Sequence, residues 1–223
     1  MSMLQRVPNA RRTVGARTPR RQEQHANVNP QGVAGGSHGG GGRCGGTAAG
    51  RAGSCRDGVT ANFAFIYVAA AEGKANQITV SVSGGHIVIA DEGDTVTAGT
   101  GCTQRTPNSV ICAAGVRALS IDTGDLDDTV TLETTRTRAY LYGKEGDDTF
   151  DARSSDVRVV MEGDAGDDSL NGGAGADELW GGAGADTMRG GTEGIQGNDF
   201  SDGQDGNDIC LGDPGDSEVS CDD

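Results

Sequence analysis

Aspartate and glycine recur together at a fixed interval through the C-terminal half of this 223-residue chain. Five nonapeptides show it: GKEGDDTFD from Gly143, GDAGDDSLN from Gly163, GGAGADELW from Gly172, GGAGADTMR from Gly181 and GQDGNDICL from Gly203. A weaker copy, TGDLDDTVT, opens at Thr123 with Leu126 where the fourth-position glycine should be. Another opens at Gly190-Gly191, is interrupted by Thr192 to Gln196, and resumes at Gly197-Asn198-Asp199. Glycine loses more conformational freedom on ordering than any other residue, so such a chain needs a partner that offsets the loss. A carboxylate at position six beside turns rich in exposed carbonyls suggests one. Hard oxygens are what Ca²⁺ takes, six to eight of them at about 2.3–2.6 Å.

Other chemistry is poorly supported. The paired acids Asp147-Asp148 and Asp167-Asp168 resemble a glycosidase pair only in isolation, because they hold fixed places in a repeat. Gly35-Gly36-Ser37-His38-Gly39 fits the nucleophile-elbow pattern but sits in a glycine run, with no strand before it and no helix after it. His25, His38 and His86 are scattered, and no HExxH occurs. The chain reads as non-enzymatic.

The elements that must position the aspartates are strands. Phe63 to Val68, Ile78 to Val82, a Gly84-Gly85 turn, His86 to Ile89, Val110 to Cys112 and Val116 to Ile121 are short, β-branched, alternating runs. No stretch carries a helical period, so the class is all-β. Aromatic residues make up only 4% of the chain while glycine numbers 39, so an ordinary core would be thin.

The net charge of −15 is unevenly spread. Residues 1–57 hold nine Arg and two acidic residues, whereas from Gly163 onward 16 acidic residues face the single basic Arg189. The acidic part repels nucleic acid and anionic membrane and attracts cations. The head, residues 1–57, has no periodicity and reads as a disordered Arg/Gly-rich tail. Six cysteines fall as the near pairs Cys44/Cys55, Cys102/Cys112 and Cys210/Cys221, none with zinc-site spacing, which favours disulfides and an oxidising compartment. The N-terminus as given shows no apolar signal region.

The pattern G-G-x-G-x-D-x-U-x, with U large and apolar, closely resembles the hemolysin-type (RTX) calcium-binding repeat, a parallel β-roll. The resemblance covers about 123–223 and is strongest from 143 to 211. It implies position-six ligands at Asp128, Asp148, Asp168, Asp177, Asp186, Asp199 and Asp208. Turn carbonyls would come from Gly163, Gly166, Gly172, Gly173, Gly175, Gly181, Gly182, Gly184, Gly203 and Gly206. Glycines at positions one, two and four are expected to supply positive φ, and position eight to point inward. Two repeats make one coil.

Spacings of 20, 20 and 18 residues between the copies at 123, 143, 163 and 181 stack Asp128, Asp148, Asp168 and Asp186 on one edge, continued by Asp208. Asp177 and Asp199 are expected on the opposite edge. Residues 58–122 would be a small β-rich N-terminal cap and 123–223 the calcium-binding β-roll. Gly212 to Ser220 is expected to close the roll as a cap, since Ser217 stands where an aspartate is due. The expected partner is calcium and no nucleic acid, and the chain is expected to be an extracellular monomer folded by Ca²⁺. The alternatives are a calcium-rigidified cell-surface adhesion or matrix module and a fragment of a secreted hydrolase.

Overall fold

Branched alternation makes the front strands. β1 (Asp57–Ala61), β2 (Phe65–Ala69), β3 (Gln77–Ser83), β4 (His86–Asp91), β5 (Val96–Ala98), β6 (Cys102–Thr106) and β7 (Ser109–Cys112) follow in order. The computed structural model describes residues 57–61, 65–113, 115–133, 136–191 and 198–222. The Arg-rich head, the Gly35–Gly39 motif, the Cys44/Cys55 pair and the interruption at 192–197 lie outside the described residues. β3 and β4 form the expected hairpin, with Gly84 and Gly85 both at positive φ (60° and 80°), as a two-residue hairpin turn demands. β7 pairs antiparallel with β4 and β6 with β7, bringing Cys102 opposite Cys112, where they form a disulfide.

From residue 118 the chain winds into coils. The strands are β8 (Ala118–Asp125), β9 (Thr129–Leu132), β10 (Arg138–Glu145), β11 (Thr149–Asp151), β12 (Val159–Ala165), β13 (Ser169–Gly173), β14 (Glu178–Gly184), β15 (Thr187–Gly191), β16 (Phe200–Gly206), β17 (Ile209–Leu211) and β18 (Ser217–Val219). Alternate strands go to opposite sheets. The first sheet runs β18-β16-β14-β12-β10-β8-β2-β1-β5, and the second β17-β15-β13-β11-β9-β3-β4-β7-β6. Every pairing along the coils is parallel, and among the described residues there is no helix. The all-β parallel roll expected from the repeats is therefore present. It takes in more of the chain than the repeats do, because β2 pairs parallel with β8 and β3 with β9.

The core is a double column. Position eight supplies Val130, Phe150, Leu170 and Met188 from the second sheet, all fully buried, with Ile78 continuing the row through β3. Opposite them the first sheet supplies Val68, Ile121, Leu141, Met161 and Leu179. β8, β9 and β12 also bury Leu119, Leu132 and Val159, whereas β13, β14 and β15 each bury one large side chain. Toward the C-terminus the rows change to Ser201 and the partly buried Cys210, and then to the exposed Glu218. A second disulfide, Cys210–Cys221, ties down that end.

Candidate metal-binding site

The turns joining first-sheet strands to second-sheet strands stack the position-six aspartates on one edge. Asp128, Asp148, Asp168, Asp186 and Asp208 are nearly fully buried there. Each Oδ1 reaches back to the preceding coil and accepts its backbone N–H. The Asp128 amide donates to Asp148 at 2.8 Å, Asp148 to Asp168 at 2.8 Å, Asp168 to Asp186 at 2.8 Å, and Asp186 to Asp208 at 3.0 Å. The other edge carries Asp177 and Asp199. The Val159 amide donates to Asp177 Oδ1 and the Asp177 amide to Asp199 Oδ1, each at 2.8 Å. In the coil between 143 and 163 this second edge holds the buried Ser155 and no carboxylate in the column.

On the first edge the second carboxylate oxygen is left over. Oδ2 of Asp128, Asp148, Asp168, Asp186 and Asp208 is buried without a hydrogen-bond partner in all five coils. An unsatisfied buried carboxylate oxygen is costly, and one repeated five times in register makes a row suited to cations. The position-one glycines show where these oxygens point. A Cβ on Gly163 would collide with Asp168 Oδ2 and stand 2.7 Å from the Gly181 carbonyl oxygen; one on Gly143 would meet Asp148 Oδ2 and the Gly163 carbonyl in the same way. Carboxylate and carbonyl oxygens of successive coils therefore crowd one small space. The residues fit a calcium ion by oxygen type, burial and unmet charge. Among the described residues no three His, Cys, Asp or Glu side chains converge on one point, so backbone carbonyls must complete any such shell.

The role of the position-one glycine differs from expectation. Gly143, Gly163, Gly172, Gly181 and Gly203 are not at positive φ; they are glycine because the aspartate oxygen occupies the place of a side chain. Positive φ falls at positions two and four in most of the first-edge turns, but Gly173, Gly175 and Gly206, which were expected to share it, do not take it. Position two includes Gly182 (129°) but also Lys144 (84°), Asp164 (73°) and Gln204 (69°), and position four includes Gly146 (128°), Gly166 (139°) and Gly184 (151°). Leu126 takes the same conformation at 71°, so the copy at Thr123 keeps its turn and Asp128 its place in the column. On the second edge Gly173 donates its amide to Asp177 Oδ2 at 2.7 Å, while Gly172 and Gly175 are wedged against the Gly190 carbonyl and the Val157–Arg158 backbone. Gly206 packs on the Gly184 carbonyl.

Burial and stacking bias these carboxyls toward their protonated form. Desolvation, partly offset by the amide each accepts, pushes Asp148 up to about 8, Asp168 to about 7, and Asp128 and Asp177 to about 6. Neighbouring carboxylates in the column add to the rise for Asp148 and Asp168. Asp186 and Asp199 are raised for the same reasons.

Four features escaped the sequence. Asn76 occupies the column position before Asp128, donating its amide N–H to Asp128 Oδ1 at 2.6 Å and its side-chain NH₂ to the same atom at 3.0 Å. The buried Asp91 stands beyond it, accepting from Gln77 and Gly93 and leaving its own Oδ2 unpaired. The position-five acids form a second ladder in the opposite sense: Asp127 accepts from the Asp147 amide, Asp147 from Asp167, and Asp167 from Ala185. Finally, the closing copy lies one residue earlier than the reading that put Ser217 at the aspartate position. Phe200 pairs with Ser217, so Asp216 aligns with Asp199 and accepts its amide at 3.0 Å.

A parallel β-roll of stacked glycine-aspartate turns, with unmatched carboxylate oxygens along one edge, is the class of structure this fold and site define. Residues 162–192 match the family described as RTX calcium-binding nonapeptide repeat (4 copies), which supports the resemblance of the repeats to that kind. No curated protein and no solved structure matches the chain.

Proposed function

We propose that the chain is a secreted, non-enzymatic protein whose C-terminal roll is folded by calcium. The row of five buried, unpartnered Oδ2 atoms carries this reading. Asp128, Asp148, Asp168, Asp186 and Asp208 would hold ions on the first edge with carbonyl oxygens of the position-one glycines, among them Gly163 and Gly181. Asp177 and Asp199 would serve the second edge. The bound ion supplies the positive charge that lets stacked carboxylates ionise without repelling one another. The chain's own residues do the rest: the amides hold each Oδ1 in place, and the missing Cβ at position one keeps the oxygen-lined space open. Binding free energy then becomes folding free energy. The acids at 147–148 and 167–168 divide between two ladders of opposite sense, which argues against a carboxylate pair working on one bond. The disulfides Cys102–Cys112 and Cys210–Cys221 and the acidic surface fit an oxidising, calcium-rich exterior.

Circular dichroism under calcium titration tests the reading. The ion-free chain is expected to lack the β-signal of 143–211 and gain it at Ca²⁺ on the order of 10⁻⁴–10⁻³ M. Mg²⁺, which demands a tighter octahedron, should substitute poorly. An equal transition with Mg²⁺ at the same concentration would count against the proposal. A second reading, a calcium-rigidified adhesion or matrix module, is favoured by the outer face of the first sheet.

A further inference from the structure

Aromatic side chains usually bury 150–250 Å² each and anchor cores. Here only Phe150 among the described residues does so. Phe65, Tyr67, Tyr140, Tyr142, Trp180 and Phe200 all point out of the first sheet, at the alternate positions left by the buried Ile66, Val68, Leu141 and Leu179. They include every tyrosine and the single tryptophan of the chain.

Register orders this face. One outward row reads Tyr67, Ser120, Tyr140, Val160, Glu178, Phe200 along the coils. The row beside it reads Asp122, Tyr142, Glu162, Trp180, Asp202, a strict alternation of acid and ring. Like residues recur every second strand, about 9.6 Å apart. Tyr140, Tyr142, Trp180 and Phe200 are half-buried, Phe65 and Tyr67 are exposed, and Trp180 lies against Phe200 with centroids 5.9 Å apart, which steadies that end of the platform. Two nearby cations are engaged, Lys144 with Asp122 at 2.5 Å and Arg158 with Glu178, while Arg138 is exposed on the same face two residues before Tyr140.

We propose that this face docks a neutral polysaccharide lying along the roll's axis. Its pyranose rings stack on Tyr142 and Trp180, and its hydroxyls donate to Asp122, Glu162 and Asp202. Flat C–H faces match aromatic platforms, and hydroxyls match carboxylates that have acceptors only. The acidic row, with Asp122, Glu162 and Asp202, repels an anionic polymer or an anionic membrane. The inference rests on the calcium reading in one respect, since the rows exist only when the coils are stacked.

Trp180, the only tryptophan, reports directly on the platform. The full chain at saturating Ca²⁺ is titrated with oligosaccharides of β-glucan, mannan, xylan and dextran, with polygalacturonate as the anionic control. At least one neutral oligosaccharide should shift or quench Trp180 emission, and polygalacturonate should not. Tyr142→Ala should weaken that binding about tenfold or more. Glu162→Gln, which keeps shape and removes charge, should weaken it in a chain whose circular dichroism is unchanged. The proposal is overturned if no neutral sugar binds, if polygalacturonate binds as well, if both variants bind like the parent chain, or if sedimentation shows a second copy covering the face. A chain that binds no sugar yet shows the calcium-driven β transition overturns this proposal alone; one without the transition overturns both.

Discussion

The front strands and the repeat coils share two sheets but are held together differently. The front packs Val59, Ile66, Val68, Ile78, Val80, Ile87, Ile89, Val96 and Val110 into a branched aliphatic core, cross-linked by Cys102–Cys112. The coils have a two-residue-wide core and five buried oxygens without partners. Under the calcium proposal the same backbone geometry is stabilised from inside by oil in the front and from the edge by charge neutralisation in the coils. In the second case the stabilising agent is outside the sequence.

The largest expected effect is on the contrast itself. Chelation should raise hydrogen exchange across Thr149–Asp151, Ser169–Gly173 and Thr187–Gly191 by about three orders of magnitude, if calcium had been present at about 1,000 times its Kd. Amides of β3 and β4 should keep their protection. Uniform loss across both regions would show one cooperative unit rather than two regimes.

Glycine substitutions sharpen the same contrast. Gly163→Ala puts a methyl where Asp168 Oδ2 lies and should cost the calcium-loaded roll about 2–4 kcal/mol. Gly85→Ala in the front hairpin, where φ is 80° but no atom lies within 4 Å, should cost about 1 kcal/mol. Similar losses in thermal melts would mean the position-one space is not special.

A third effect depends on pH. Folded-state values raised to about 8 at Asp148 and about 7 at Asp168 exceed the unfolded value, so the stability linked to these groups is present at low pH. In the ion-free roll it is lost progressively as pH rises from the ordinary carboxyl value of about 4 to the folded values of about 6 to about 8. The ion-free chain should show more β-signal near pH 5 than at about pH 8.5, and calcium binding near pH 7 should release protons. Buffers of different ionisation enthalpy in calorimetry would reveal that release, and its absence would show the carboxyls already ionised.

The smallest effect lies within the column. Asp168 accepts from Asp148 and donates its own amide to Asp186, whereas Asp208 has an aspartate neighbour on one side only. Asp168→Ala should therefore lower calcium stoichiometry and cooperativity more than Asp208→Ala. Equal effects in calorimetric titration would mean independent loops.

Periodicity made much of this legible. Position six fixed which aspartates would share an edge, and position eight fixed Phe150, Leu170 and Met188 as core. What stayed hidden is what breaks the period. Asn76 is 52 residues from Asp128 because β4 to β7 are inserted between adjacent coils, so no repeat search joins them. Asp216 was displaced by one residue because Gly212 suggested the wrong start, while strand pairing with β16 set the register. The outer aromatic rows need strand-to-strand register before Tyr142 and Trp180 become neighbours on alternate strands.

The fading core has a further consequence. Along the coils the inner residues pass from Leu179 and Met188 to Ser201 and Cys210 and then to Glu218, while each coil touches only the next. Such an array behaves as a one-dimensional lattice with a movable boundary between ordered and disordered units. With the aliphatic front fixed at one end, that boundary would travel toward Cys221 as calcium rises and retreat as it falls. The molecule would then record ion activity as a length.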